Sequence, residues 1–94
     1  MRVEWLRRAL RDLDDEASYI AADDPAAARR VVQRVMAAVA QLREQPALGR
    51  PGRVPGTREL VVAQTRYVVP YRVQGQRVEV LRIFHSSRRL PARW

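Results

Sequence analysis

The hydrophobic positions in the first half of the chain follow a helical period. Over residues 5–22, apolar side chains recur every three or four positions and charged side chains fill the opposite face, as in an amphipathic helix. An Asp-Asp-Pro sequence then provides a new helix start, because Asp24 can cap free amides and Pro25 suits the first helical position. A second helix continues to about residue 45, where Pro46 stops it. We therefore predict an antiparallel helical hairpin.

The second half alternates with a period of two, which is typical of strands. Three runs rich in Val, Tyr, Ile and Phe span residues 58–63, 66–73 and 77–84. Gly75 lies between the last two runs and supplies the positive φ that a tight hairpin turn needs. We predict a three-strand antiparallel meander, to which the segment around Val3 can add an edge strand.

Two details of the meander can be predicted from alternation. Pro70 lies inside the middle run and removes one ladder donor, so we predict a bulge or a missing hydrogen bond there. In the last run, alternation groups Val78, Val80, Arg82 and Phe84 on one face and Glu79, Leu81, Ile83 and His85 on the other. Both faces of the sheet are thus partly apolar, and we expect one of them to pack on the helices.

The order of elements predicts one α+β domain over residues 1–94. The αα-hairpin should pack on the small antiparallel sheet, because neither helix can bury its apolar stripe on the other alone. There is no cysteine, which excludes disulfides and thiolate chemistry. We find no apolar run of membrane-spanning length and no signal-peptide pattern, so we expect a cytoplasmic protein with no membrane partner.

Charge divides the chain into two halves. Residues 1–45 hold eight Arg and eight acidic residues, whereas residues 46–94 hold ten Arg against Glu59 and Glu79. The whole formal net charge of +8 therefore comes from the second half, which predicts an anionic partner, either nucleic acid or an acidic protein segment. All 18 basic residues are Arg; codon bias can explain the absence of Lys but not this asymmetry.

Six of the basic residues of the second half are our candidates for contact with an anionic partner or target. With the terminal tryptophan, the candidate binding residues are Arg58, Arg66, Arg72, Arg82, Arg88, Arg89 and Trp94. For Arg82, a structural salt bridge with Glu59 or Glu79 is an equally good interpretation. Trp94 either folds back on the protein or marks a binding surface.

Candidate chemistry is confined to a few side chains. His85 is the only histidine and can act as a general acid or base near neutral pH; with Arg82 and Arg88 it could cleave RNA without a metal. Adjacency alone argues against a nucleophilic pair between His85 and Ser86 or Ser87. The acidic residues 14–16 fall on the polar helix face, which predicts a solvated surface. We identify no metal-ligand set and no phosphate-binding glycine loop, and we expect no cofactor.

Four segments carry a resemblance to a known family: LREQPALGRPGR at 42–53, GTREL at 56–60, YVVPYRV at 67–73 and VEVLRIFHSSR at 78–88. In this order they resemble the RelE/ParE toxin superfamily of type II toxin–antitoxin modules, and its ParE-like branch in particular. The resemblance implies a toxin that is neutralised in a hetero-oligomer with its antitoxin. Such an antitoxin is acidic, has a DNA-binding N-terminal half, and wraps its C-terminal tail over the toxin as helix and strand.

The resemblance implies one of two activities. ParE-like members poison DNA gyrase, whereas RelE-like members cleave mRNA on the ribosome. Here Val68 stands three positions before Tyr71, where ribonuclease members often carry Arg, and Ser86 follows His85, where some carry Tyr. We therefore expect a gyrase-directed toxin that is not an enzyme. An mRNA endonuclease using Arg82, His85 and Arg88 is the alternative, and a non-toxic nucleic-acid-binding module is a second one.

Overall fold

The computed structural model describes residues 1–88 and 90–94, so the candidate contact residue Arg89 lies outside the described residues. The elements in chain order are β1 (Arg2–Trp5), α1 (Arg7–Ala21), α2 (Pro25–Ala40), a 3-10 turn (Gln41–Arg43), β2 (Arg50–Pro51), β3 (Arg58–Val61), β4 (Tyr67–Gln74), β5 (Arg77–Val80) and β6 (Phe84–His85). This arrangement confirms the predicted α+β class. No helix in this part of the chain is long and apolar enough to cross a membrane.

The helical hairpin forms where the sequence predicts it, with shifted ends. Helix α1 begins later than expected because Trp5 belongs to β1, and α2 tightens into the 3-10 turn after Ala40. The predicted cap is present: the Ala27 amide donates to Asp24 Oδ1 at 3.1 Å, and Pro25 occupies the first turn of α2. This cap satisfies one of the free amides at the helix start.

The sheet contains the predicted meander and three further strands. The strands lie side by side in the order β1-β5-β4-β3-β2. Strand β6 pairs with the first residues of β4, beyond the point where the pairing of β4 with β5 ends. The N-terminal edge strand forms, but it runs parallel to β5, with Val3 opposite Val78. The predicted meander is antiparallel, and the sheet is mixed because the added edge strand, whose direction the sequence left open, is parallel.

The predicted irregularity at Pro70 is a β-bulge. The β4–β5 pair Arg72–Glu79 and the β4–β6 pair Val68–Phe84 differ in register. Between these two pairs there are three residues on β4 and four on the opposite strand. The opposite strand therefore has one extra residue, which lies beside Pro70. The predicted third strand is accordingly interrupted between β5 and β6.

The bulge reverses the alternation of the last run. Leu81 bonds through its amide to the Pro70 carbonyl at 2.9 Å, and Ile83 then turns into the core with Val78 and Val80. Phe84 lies opposite Val68, which is not part of that core. The predicted grouping of Phe84 with Val78 and Val80 was wrong, because one inserted residue moves every later side chain to the other face.

The core lies between the hairpin and one face of the sheet. Its fully enclosed members come from both layers: Ala9, Val35, Val39, Leu42, Val62, Val69, Tyr71, Val78 and Val80. Tyr71 also fixes the Pro/Gly-rich loop, because its hydroxyl donates to the Pro46 carbonyl at 2.7 Å and accepts from the Gly49 amide at 2.8 Å. Burial raises the pKa of Tyr71, so the hydroxyl keeps its proton as a donor.

Candidate functional site

Two of the candidate arginines hold the fold together. Arg58 donates to the Gly49 carbonyl at 2.8 Å and so ties β3 to the Pro/Gly-rich loop. Arg72 Nε lies 2.6 Å from Glu79 Oε1 across the β4–β5 ladder. Because these guanidinium groups already have partners, both are less suited to bind an external anion than an unpaired arginine.

Arg82 has a structural partner that the sequence did not reveal. Its Nε lies 2.7 Å from Asp12 Oδ2 of helix α1, and both side chains are only 17% exposed. The same Asp12 oxygen accepts the Ile83 amide at 3.0 Å, which fixes the chain just after the bulge. The predicted partners Glu59 and Glu79 were wrong, because α1 crosses the sheet at this point and presents its own carboxylate.

Glu59 and Glu79 serve other arginines. Glu59 is 2% exposed and accepts from the side chains of Arg50 and Arg53, at 3.1 Å each, and from the Arg53 amide at 2.9 Å. Burial by itself would raise the pKa of Glu59, but these donors outweigh it and lower the pKa below its ordinary value. Glu79 lies between Arg72 and Arg77.

The remaining polar candidates meet in one cleft at the end of the sheet. The cleft has a volume of about 380 Å³, and its polar lining residues are Glu16, Tyr19, Thr65, Arg66, Tyr67, His85, Ser87 and Arg88. The structure thus brings Arg66, His85 and Arg88 together, whereas Arg82 is bound to Asp12 outside the lining of this cleft. The predicted trio of Arg82, His85 and Arg88 is divided.

Glu16 is the centre of this polar cleft. Its carboxylate accepts the Tyr67 hydroxyl at 3.0 Å and both terminal nitrogens of Arg88. Burial and the bond to Glu16 together raise the pKa of Tyr67 to about 12, so the phenol is neutral at physiological pH. The prediction of a solvated face was wrong for Glu16, which is 12% exposed, although Asp14 and Asp15 do face solvent.

His85 lies at the rim with a serine against its ring. Ser87 Oγ is 2.6 Å from His85 Nδ1, and the Ser87 amide donates to the same nitrogen at 3.2 Å. Strand alternation ends where the chain turns after β6, which brings Ser87 against the ring; that the two do not form a nucleophilic pair stays a prediction. Since Nδ1 accepts an amide proton, the ring proton of neutral His85 is on Nε2.

Trp94 folds back on the protein. Its ring centroid lies 5.5 Å from that of Phe84, and its indole nitrogen donates to Thr57 Oγ1 at 3.1 Å. Arg8 donates to the Trp94 carbonyl at 2.7 Å. The first of the two interpretations of Trp94 is therefore correct for the described conformation.

A second concave surface, which the sequence did not reveal, runs between α2 and β3. This groove has a volume of about 560 Å³; Ala37, Ala38, Leu48, Val61 and Ala63 supply apolar lining, and Arg34 and Arg50 supply positive charge. Val61 is 54% exposed and Leu48 43% exposed. β2 pairs with β3 only at Arg58 and Glu59 within the described residues, so the edge at Val61 is open. The one sequence signal was Val61, an apolar residue outside the core alternation.

Comparison with known proteins agrees with this architecture. The chain matches the family model described as ParE toxin of type II toxin-antitoxin system, parDE, over residues 3–90. It is 50% identical over 90 residues to a Sinorhizobium fredii protein named "Putative toxin Y4kP", covering 96% of this chain and 93% of that protein. It is 39% identical over 81 residues to Toxin RelE1 of Caulobacter vibrioides, covering 84% and 86%.

A solved structure described as the chromosomal ParDE TA system from P. aeruginosa has the same fold. Its matching chain superimposes with a TM-score of 0.81 at 33% sequence identity, covering 90% of this chain and 95% of that chain. The two helices, the mixed sheet and the match of the family model to nearly the whole sequence lead to one conclusion: this chain belongs to the ParE family of toxins from type II toxin–antitoxin systems.

Proposed function

We propose that this toxin acts by poisoning DNA gyrase rather than by cleaving mRNA. The observation that supports this choice is the pairing of the cations that a metal-free ribonuclease would direct at a phosphodiester. Arg82 is held by Asp12, and Arg88 is held by Glu16. Moving the Arg82 guanidinium onto a phosphate would leave the partly buried Asp12 carboxylate without its partner, which is costly, and the charge of Arg88 is already balanced by Glu16.

The residue at position 68 also favours gyrase poisoning over mRNA cleavage. Val68, where ribonuclease members often carry Arg, is 3% exposed and lies opposite Phe84 in the β4–β6 pair. In this chain the position is occupied by a packed apolar side chain, so it supplies no cation to a substrate. The proposed activity therefore depends on a protein target and not on a catalytic group of the toxin.

The α2–β3 groove is the proposed site for the antitoxin. An extended segment can add to the open edge of β3 at Val61 through main-chain hydrogen bonds, while apolar side chains enter the groove beside Leu48. Arg34 and Arg50 line the same groove, and an acidic antitoxin tail would complement their charge. The toxin should then be more stable in the complex than alone, since partner binding stabilises by mass action.

A supercoiling assay with purified gyrase tests the activity. We expect the protein to inhibit supercoiling and to trap cleaved DNA, and we expect added antitoxin to relieve both effects. If saturating protein leaves gyrase unaffected, the gyrase proposal is wrong. The next assay is then cleavage of mRNA in translating ribosomes, comparing the wild-type chain with His85→Ala.

A matched pair of variants tests the antitoxin surface separately. Val61→Arg introduces a buried charge into the proposed interface, and we expect binding of the antitoxin to weaken by about 100-fold with gyrase inhibition unchanged. Val73→Arg is the control, because Val73 is 40% exposed on β4 and is not among the groove residues. Equal antitoxin affinity for both variants would place the antitoxin elsewhere.

The alternative activity rests on the polar cleft. His85, Arg66 and the neutral phenol of Tyr67 line one concave surface, and this combination could position an RNA phosphate. If the protein cleaves ribosome-bound mRNA and His85→Ala abolishes cleavage without unfolding, this alternative replaces the gyrase proposal.

A further inference from the structure

The strongest unassigned feature is the way the end of the chain closes over the sheet face that does not carry the helices. We call residues 90–94 the C-terminal strap. Within the strap, the Trp94 ring packs on Phe84, its indole N–H donates to the Thr57 hydroxyl, and its main-chain oxygen accepts from Arg8. We propose that the strap is a latch that opens and closes on the native fold, and that closing it covers an interaction surface centred on Phe84.

The segment before the strap is firmly attached. Arg8, Asp12 and Glu16 are spaced four residues apart, so they form one stripe along α1. Asp12 holds Arg82, and Glu16 holds Arg88, through paired hydrogen bonds. The partly buried Asp12 contacts and the pairing of β6 with β4 fix the chain through His85, so that the strap can move while the sheet stays intact.

The strap itself is held less firmly. The bond from Arg8 to the Trp94 carbonyl is exposed, and the bond from Trp94 to Thr57 is only partly buried. Pro91, Ala92 and Arg93 are exposed, and Leu90 is half-buried. The free energy of one aromatic contact and two hydrogen bonds, one exposed and one partly buried, must offset the conformational entropy that five ordered residues lose. These two opposing contributions are of similar size. Both states should therefore be populated without global unfolding.

Opening the strap would expose an aromatic and basic surface. Phe84 would lose the Trp94 ring that covers it. The exposed ring would adjoin a positive charge, because the Arg82 guanidinium lies 4.6 Å from its centre. Arg8 would lose the carbonyl that it now holds, and the Thr57 hydroxyl would lose its donor. A protein segment that combines a carboxylate with an apolar side chain fits this surface, because its carboxylate can form a charge-assisted hydrogen bond with Arg8 while its apolar side chain packs on Phe84.

Tryptophan fluorescence measures the latch directly. In a Trp5→Phe chain Trp94 is the only tryptophan. We expect Thr57→Val and Arg8→Ala in this background to shift Trp94 emission to longer wavelength and to raise acrylamide quenching about two-fold, with unchanged far-UV circular dichroism. Arg7→Ala is the matched control, since Arg7 is the exposed neighbour of Arg8. If Trp5→Phe does not fold, 5-fluorotryptophan labelling of the wild-type chain gives a separate ¹⁹F signal for each tryptophan.

The regulatory part of the proposal rests on the toxin activity proposed above. In cells, Thr57→Val and Arg8→Ala should arrest growth at a several-fold lower induction level than the Arg7→Ala control. Trp94 emission that is fully solvent-like in the parent chain, or equally shielded in all variants, would overturn the latch. Altered fluorescence with unchanged potency would overturn its regulatory role. Loss of toxicity in every variant and in the parent would contradict the proposed function and leave the fluorescence result standing.

Discussion

The two ends of the sheet both place arginines beside a glutamate, yet the two arrangements differ in burial. At the Pro/Gly-rich loop, Glu59 is enclosed and receives Arg50, Arg53 and a main-chain amide. At the C-terminal end, Glu16 is 12% exposed and holds the side chains of Arg88 and Tyr67. The first arrangement fixes a loop, whereas the second can be displaced by a competing charge. Arginines of the same sequence half thus differ in role according to the burial of their acidic partners.

The largest expected effect is at Gly49. A Cβ at this position would lie 2.7 Å from Tyr71 Cε1 and 2.9 Å from the Glu59 carbonyl, and neither atom belongs to a flexible side chain. We expect Gly49→Ala to reduce the free energy of unfolding by about 3 kcal/mol through overpacking. Urea denaturation measures this, with Ala47→Gly at an exposed position as the control. A change below about 1 kcal/mol would show that the loop can move away from Tyr71.

Glu59→Gln should cost about 2 kcal/mol, because the buried carboxylate that accepts from Arg50 and Arg53 is replaced by a neutral amide. The folded-state pKa of Glu59 is lowered from 4.5, so its stabilising effect is complete above that pH and is lost as pH falls through the lowered pKa. Unfolding free energies at pH 7 and pH 3 should therefore differ less in Glu59→Gln than in the wild type. Asp15→Asn, at an exposed site, should keep the wild-type pH dependence.

Asp12→Asn should have a somewhat smaller effect, of about 1.5 kcal/mol, since the amide still accepts the Ile83 amide proton but leaves Arg82 without a charged partner. Thermal unfolding measures the loss, and Asp14→Asn on the exposed side of α1 is the control. Equal melting temperatures for the two variants would mean that the Arg82–Asp12 pair contributes nothing to stability.

Arg88→Ala should have the smallest effect, below about 1 kcal/mol, because its side chain is largely exposed and solvent screens the pair with Glu16. Glu16 also holds Tyr67, so Glu16→Gln should cost more than Arg88→Ala. Denaturation of both variants at low and at high salt tests this order. A loss for Arg88→Ala as large as that for Asp12→Asn would remove the distinction between the two ends of the sheet.

Local sequence patterns were sufficient for the elements and for much of the site's composition. The 3.6-residue and two-residue periods gave the hairpin and the meander, Asp24 and Pro25 gave the start of α2, and Gly75 has the expected positive φ of 58°. The irregularity at Pro70 was also predictable, because a missing amide proton is a property of the residue itself. These features depend on neighbours in sequence, which alternation and capping rules describe.

Only the tertiary structure decided which distant groups meet. The parallel pairing of β1 and the partners of Arg82 and Arg88 join residues more than 60 positions apart, and the phase of the chain after the bulge depends on the pairing of β6 with β4. Any of several carboxylates satisfied the charge pattern of the sequence, and the crossing of α1 over the sheet selected Asp12 and Glu16. The sequence by itself determined the elements and the excess of positive charge, because these are local or additive properties. Which charges remain free for a partner depends on three-dimensional packing, which no local pattern encodes.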